Sequence, residues 1–360
     1  MMGVSQNHPM EWKNREQYQE GDHDMENVLA KERISFKNAF LNKIIESENI
    51  AISGHVRPDG DCIGSCLAVL NYIETNYNKD HKKHVDLYLD KISDSFSFLP
   101  GIDKVKNDRN TSLKYDLFIS LDCGGLDRLG ESESIFKEAK DTICIDHHVS
   151  NIGFAKINHI EPSASSTCEV LCSIFDEDKI NLDIASALYT GIVHDTGVFK
   201  HSNTTRYTME RAGMLLSKGV DCAKIIDDSF YQKTYMQNQI LGRCLMESML
   251  VLDGKVIVSS IDRKQMQFYQ AQAYDLEGVI DQLRITKGVE VAILIHETQL
   301  GEYKVSMRSN GDVNVSEIAV YFGGGGHVKA AGCTMNGNVY DVINNLTLPI
   351  EHQLKKLNVI

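Results

Sequence analysis

Three short apolar runs in the first 150 residues each end on a turn that carries acids or histidines. Asn49 to Ser53 runs into Gly54-His55-Val56-Arg57-Pro58-Asp59-Gly60-Asp61. Tyr115 to Leu121 ends on Asp122-Cys123-Gly124-Gly125, and Thr142 to Ile145 ends on Asp146-His147-His148. Short buried runs that alternate with stretches of helical periodicity are the pattern of a parallel α/β sheet. In that architecture functional groups collect beyond the carboxyl ends of the strands. The fold class and the place to look for chemistry follow from the same pattern.

Within the first turn, Pro58 fixes one backbone angle and Gly60 permits a tight bend, so Asp59 and Asp61 can converge. Gly64-Ser65 then opens a helix through Leu67, Leu70 and Ile73. A further acid, Asp195, stands in His194-Asp195-Thr196-Gly197-Val198-Phe199, after a helical stretch from Ile184 to His194. His55, Asp59, Asp61, Asp122, His147 and Asp195 mix imidazole with carboxylate and include no thiolate. Such a set suits pairs of manganese, iron or magnesium ions better than structural zinc. Two ions sharing a carboxylate can activate water and stabilise a displaced phosphate oxygen, which implies phosphoester or phosphoanhydride hydrolysis. Taken singly, each aspartate is as well explained as a helix cap or turn former. Their joint recurrence at several strand and helix ends favours a site.

At 360 residues the chain is long enough for two domains. We divide it into a polar extension (1–30), a larger catalytic domain (31–224), one linker helix (225–249) and a smaller α/β domain (250–350). In the last, Val256 to Ile261, Val289 to His296 and Tyr303 to Arg308 have strand character. A helix over Val315 to Phe322 follows and runs into Gly323-Gly324-Gly325-Gly326-His327 and Ala330-Ala331-Gly332. Composition alone would make the glycine run a flexible linker. Its position between a helix and a second apolar stretch fits a backbone that approaches a ligand closely.

The chain has 37 Lys and Arg against 50 Asp and Glu, a net charge of -13. That argues against a broad basic surface for long or duplex nucleic acid but leaves room for a short phosphorylated ligand held by a few local cations. Nine cysteines without a Cys-x-x-Cys pair suggest neither disulfides nor a zinc ribbon. No apolar run reaches the roughly 18 residues that span a bilayer. We therefore expect a soluble, cytoplasmic protein without a membrane partner.

His-x-x-Pro-Asp-Gly-Asp-x-x-Gly-Ser from His55 to Ser65, Asp-x-Gly from Asp122, Asp146-His147-His148 and Asp-Thr-Gly-x-Phe from Asp195 together resemble the DHH phosphoesterase superfamily. Arg308-Ser309, Asn314-Val315, Ile318-Ala319, Phe322 to His327 and Ala330-Ala331-Gly332 resemble its DHH-associated C-terminal domain. The arrangement is most similar to the group that degrades short oligoribonucleotides and dephosphorylates the nucleoside bisphosphate pAp. The resemblance implies two manganese ions, one held by His55 and Asp59, the other by Asp61, His147 and Asp195, with Asp122 bridging. It implies that His148 faces the scissile phosphate and Asp146 orients a histidine. Arg308, Gly323, Gly324, Gly325, Gly326 and His327 would hold the nucleotide distant from the metals. Substrates of about two to five nucleotides are expected to fit, long chains poorly. Linear pApA and cyclic di-AMP are the closest rival substrates; inorganic pyrophosphate and a non-catalytic nucleotide sensor are further alternatives. A homodimer is left open.

Overall fold

The computed structural model describes residues 19–360, with side chains from residue 31 onward. Two units divide between Gln232 and Lys233. Of the extension expected over residues 1–30, the part up to residue 18 lies outside the described residues. From there helix α1 (Gln19–Glu46) runs on.

The first unit is built on strands β1 (Asn49–Ser53), β2 (His84–Tyr88), β3 (Val105–Lys106), β4 (Leu117–Leu121), β5 (Asp141–Asp146) and β6 (Ile157–Ile160). Their order is β3-β2-β1-β4-β5-β6, and every neighbouring pair is parallel. All of β4 is buried, with Leu117, Ile119 and Leu121 in one core and Phe118 in another. Burial on both faces is why the sequence shows continuous apolar runs instead of alternation. The chain moves outward from β1 through β2 to β3, then returns to place β4 on the other side of β1. That reversal opens a crevice at the carboxyl ends of β1 and β4.

Helices α2 (Gly60–Tyr77), α3 (Ser132–Glu138), α4 (Thr167–Ile174), α5 (Leu182–Asp195), α6 (Arg206–Ser217) and α7 (Cys222–Ile226) complete this unit. α2 and α5 approach closely at Gly64, where a Cβ would come within 2.5 Å of the Ala187 carbonyl oxygen. The approach brings the start of α2, with Asp61, to the end of α5, with Asp195.

Arg33 of α1 donates to both oxygens of Glu161, at 2.8 and 2.5 Å, and His159 Nε2 donates to Glu161 at 2.6 Å. Burial pushes the Glu161 carboxyl up, but His159 and Arg33 outweigh it and bring it down to about 2. The stabilisation is therefore complete above the unfolded carboxylate range near 4.5 and fades as pH falls toward 2. Glu161→Gln should lower the urea midpoint at pH 6 by more than at pH 3. An equal loss at both would contradict the ion pairing.

The single linker helix expected over residues 225–249 is not formed. α7 is followed by a π-helical turn (Asp227–Tyr231), non-helical residues 232–234 and a new helix, α8 (Tyr235–Met246). Thr234 adopts extended backbone and forms a capping box with Gln237, which restarts the helix there. Apolar periodicity continues across such a cap and does not reveal it.

The second unit contains β7 (Met249–Val251), β8 (Val256–Ile261), β9 (Val291–Gln299), β10 (Glu302–Ser309), β11 (Gly325–His327) and β12 (Ala330–Asn336). They are ordered β11-β12-β10-β9-β8-β7, antiparallel except for β8 with β9. Interleaved are α9 (Arg263–Phe268), α10 (Val279–Arg284), α11 (Val315–Tyr321) and α12 (Val339–Lys356). One sheet face packs Val305, Met307 and Ile293 against Ile318 and Leu346. On the other face Ala292 and Leu294 pack with Val279, Leu283 and Ile240.

Candidate metal centre

His55 follows β1. Asp59 caps α2, its Oδ1 accepting the N–H groups of Asp61 (3.1 Å) and Cys62 (3.2 Å), which leaves Oδ2 facing His55 Nε2 at 3.6 Å. Asp61, in the first turn of α2, is wholly buried. Its two oxygens accept the N–H groups of Thr167 (2.6 Å) and Cys168 (3.0 Å) at the start of α4. Asp122 follows β4 in left-handed backbone (φ 52°). Its Oδ2 lies 3.6 Å from His55 Nε2 and its Oδ1 3.6 Å from His147 Nε2. His147, after β5, also has Nε2 3.0 Å from Asp195 Oδ2 and 4.0 Å from Asp61 Oδ2. The crevice thus gathers His55, Asp59, Asp61, Asp122, His147 and Asp195 into two groups that meet at Asp122.

Backbone carbonyls set the imidazole tautomers. His55 Nδ1 donates to the Val56 carbonyl at 2.9 Å and His147 Nδ1 to that of Ala164 at 3.3 Å, so both Nε2 atoms point at carboxylates. Burial pushes the Asp61 carboxyl well up, helped by the negative charge of Asp122 and Asp195. Burial opposes a charge on His55, yet Asp122 and Asp59 outweigh it and raise the imidazole to about 12. Burial likewise opposes, and Asp195, Asp61 and Asp122 override it, to lift His147 to about 10. This density of negative charge calls for positive charge, and divalent cations supply it without protons on the donors. Ligands about 2.1 Å from one ion lie about 3 to 4 Å apart, the range of the separations here. The donors fit hard divalent cations. The Cys62 thiol also lies near His55 and Asp122, and burial pushes its pKa well above the ordinary value.

His148 Nδ1 donates to Asp146 Oδ1 at 2.7 Å, and the Asn151 amide donates to Asp146 Oδ2 at 2.8 Å. The Asp146 contact raises the proton affinity of His148 above the usual imidazole range. A cavity of about 280 Å³ opens here, lined by His55, Asp122, Gly124, Arg128, His148 and Ser150 among others. Three contributors escape sequence reasoning. Asn151 holds Asp146 in place, Thr167 donates to Asp122 Oδ1 at 3.1 Å, and Arg128 lines the cavity. Arg128 is six residues after Asp122 on the same loop, a position that could have flagged it; Thr167 shows no local signal.

In the second unit the glycine run is ordered structure. Gly325, Gly326 and His327 pair with Gly332, Ala331 and Ala330. A Cβ on Gly324 would meet the Gly332 carbonyl oxygen at 2.1 Å, and Gly326 has φ 143°. Ala330 pairs on its other side with Arg308, so His327, Ala330 and Arg308 form one row across β11, β12 and β10. Directly paired residues project to the same face. The row lies on the face opposite Met307 and Ala331, with a small residue between cation and imidazole.

Residues 49–192 match the DHH family, N-terminal domain, and residues 253–355 match the DHHA1 domain. The chain thus carries a DHH domain followed by a DHHA1 domain. It is accordingly a hydrolase of phosphoester bonds that depends on divalent metal ions. It is 27% identical over 292 residues to a protein of Thermus thermophilus called bifunctional oligoribonuclease and PAP phosphatase NrnA, covering 80% of this chain and 84% of that one. Identity to cyclic-di-AMP phosphodiesterase GdpP of Bacillus subtilis is 26% over 318 residues, 83% of this chain and 47% of the relative. An exopolyphosphatase-related protein from Bacteroides fragilis shares the fold, with TM-score 0.78 and 24% identity over 90% of this chain and 97% of that one. No helix among the described residues is long and apolar enough to cross a membrane.

Proposed function

We propose that this protein is a manganese-dependent phosphodiesterase and phosphatase that degrades very short RNA to mononucleotides and converts pAp to AMP. The observation that carries the reading is Asp122, whose two oxygens face separate donor groups beside an open cavity. The similarity to a relative named for both activities supports it. Two divalent ions held by His55, Asp59 and Asp122, and by Asp61, Asp122, His147 and Asp195, would supply activated water and neutralise phosphate charge.

The remaining work falls to side chains of the chain itself. Asp146 holds the proton of His148 on Nδ1. A protonated Nε2 can then face the substrate and stabilise charge on the departing oxygen. Asn151 fixes Asp146, so the imidazole keeps one orientation. The Arg308, Ala330 and His327 row is assigned the nucleotide away from the reacting bond, with bidentate phosphate contact from Arg308.

The likeness to GdpP favours a second reading, hydrolysis of cyclic di-AMP or pApA. Incubation of the purified protein and manganese with pAp, pApA, cyclic di-AMP, a labelled RNA of about five nucleotides and a long RNA separates the two. The short RNA and pAp should turn over fastest. Cyclic di-AMP as the best substrate would replace the first reading with the second, and equal rates on short and long RNA would remove the length rule.

A further inference from the structure

We infer that Arg128 is the phosphate-holding cation of the metal-bearing unit, placed to grip a non-bridging oxygen of the substrate in the cavity beside Asp122 and His148. The inference rests on the reading of the centre as phosphoester-hydrolysing, and adds a residue that neither the motifs nor the donor set contains.

Asp127 lines the same cavity as Arg128, yet among the described residues the Arg128 guanidinium forms no ion pair with it or with any other carboxylate. The side chain is half-buried. Its Nη2 lies 3.5 Å from His55 Nδ1. That contact is not a hydrogen bond, because the Val56 carbonyl oxygen at 2.9 Å can only accept, so His55 Nδ1 carries a proton. A guanidinium has no acceptor capacity either, and two donors face each other there. The N–H groups of Arg128 therefore lack an acceptor from the protein on that side.

The cavity supplies the place for one. Its wall carries Asp122 and His148, the groups nearest the reacting bond in the proposed chemistry. The floor at Gly124 is kept low, since a Cβ there would come within 3.3 Å of Ser150 Oγ and 3.4 Å of His148 Cβ. An arginine that must sit beside metal ligands without a carboxylate partner is suited to bind an anion in two-point fashion. A phosphate in the cavity beside Asp122 and His148 would meet the guanidinium charge of Arg128 there. Carboxylates dominate the rest of the centre and would otherwise repel it.

The backbone of Arg128 has a separate task, accepting the Val56 N–H at 2.8 Å. Side-chain substitution leaves that bond in place, which makes the proposal testable. Arg128→Gln and Arg128→Lys would be compared with the unaltered full chain in manganese, with pAp as substrate and inorganic phosphate as competing ligand. The glutamine variant should raise KM for pAp and the inhibition constant of phosphate together, by about 10- to 100-fold. Lysine should recover part of both, while manganese binding by calorimetry and the melting temperature stay unchanged. Unchanged KM and phosphate affinity in Arg128→Gln would overturn the inference. So would loss of manganese binding, which would make Arg128 a support for His55. If the unaltered protein hydrolyses no phosphoester, the catalytic reading fails on its own. Calorimetric binding of inorganic phosphate then still decides Arg128: weaker binding in the glutamine variant supports it, equal binding refutes it.

Discussion

Asp122→Asn is expected to lower turnover of every phosphoester substrate by at least about 1000-fold without lowering the stability of the metal-free protein. The amide is nearly isosteric, and asparagine tolerates the left-handed backbone found at this position (φ 52°). Its carbonyl oxygen can still accept from Thr167. What disappears is one negative charge and one of the two oxygens that face His55 and His147. Loss of that charge relieves Asp61, which burial and the neighbouring charges of Asp122 and Asp195 already disfavour as a carboxylate. Relief of Asp61 is offset by the lost attraction of Asp122 for His55 and His147, so urea unfolding in a chelator should give a midpoint close to that of the unaltered chain. Activity within tenfold of normal, or a clear drop in the midpoint, would show that Asp122 serves the fold more than the site.

Asp61→Ala should behave differently and lose both activity and stability. Asp61 is not only a donor in the centre, since its oxygens accept the first N–H groups of α4 from Thr167 and Cys168. Thr167 and Cys168 are completely buried, so water cannot replace the carboxylate there. An unsatisfied buried N–H costs about 1–3 kcal/mol, and relief of repulsion from Asp122 and Asp195 offsets part of the sum. A net loss of about 2–4 kcal/mol in denaturant unfolding is the expected result. Asp61→Asn, which keeps one acceptor, should fall between. Should the alanine variant unfold at the normal midpoint, the anchoring of α4 by Asp61 would be wrong.

The contrast between these two aspartates also marks what a sequence can reveal. β1, β4 and β5 were legible because each is buried on both faces and ends in a turn, and the sheet rule then sends His55, Asp122 and His147 to one edge. The order in which strands pair carries no local signal, so the reversal between β1 and β4 that creates the crevice appears only in the structure. Asp61 announces itself as a possible donor. Its second role depends on α4, whose Thr167 is 106 residues away, and no spacing rule reaches that far. Arg128 was hidden for another reason, since an arginine is informative only once its lack of a carboxylate partner is known. In the second unit β11 is glycine and histidine, without apolar alternation, so its strand pairing was invisible although the run itself stood out. Thr234 interrupts the expected linker helix through a cap that hydrophobic periodicity passes over.

The shared aspartate can be tested directly by titrating manganese into the metal-free protein in a calorimeter. Two ions per chain are expected, with Asp122→Asn losing at least one. A single ion or none in the unaltered protein, or two bound with unchanged affinity in the variant, would contradict a centre built around Asp122.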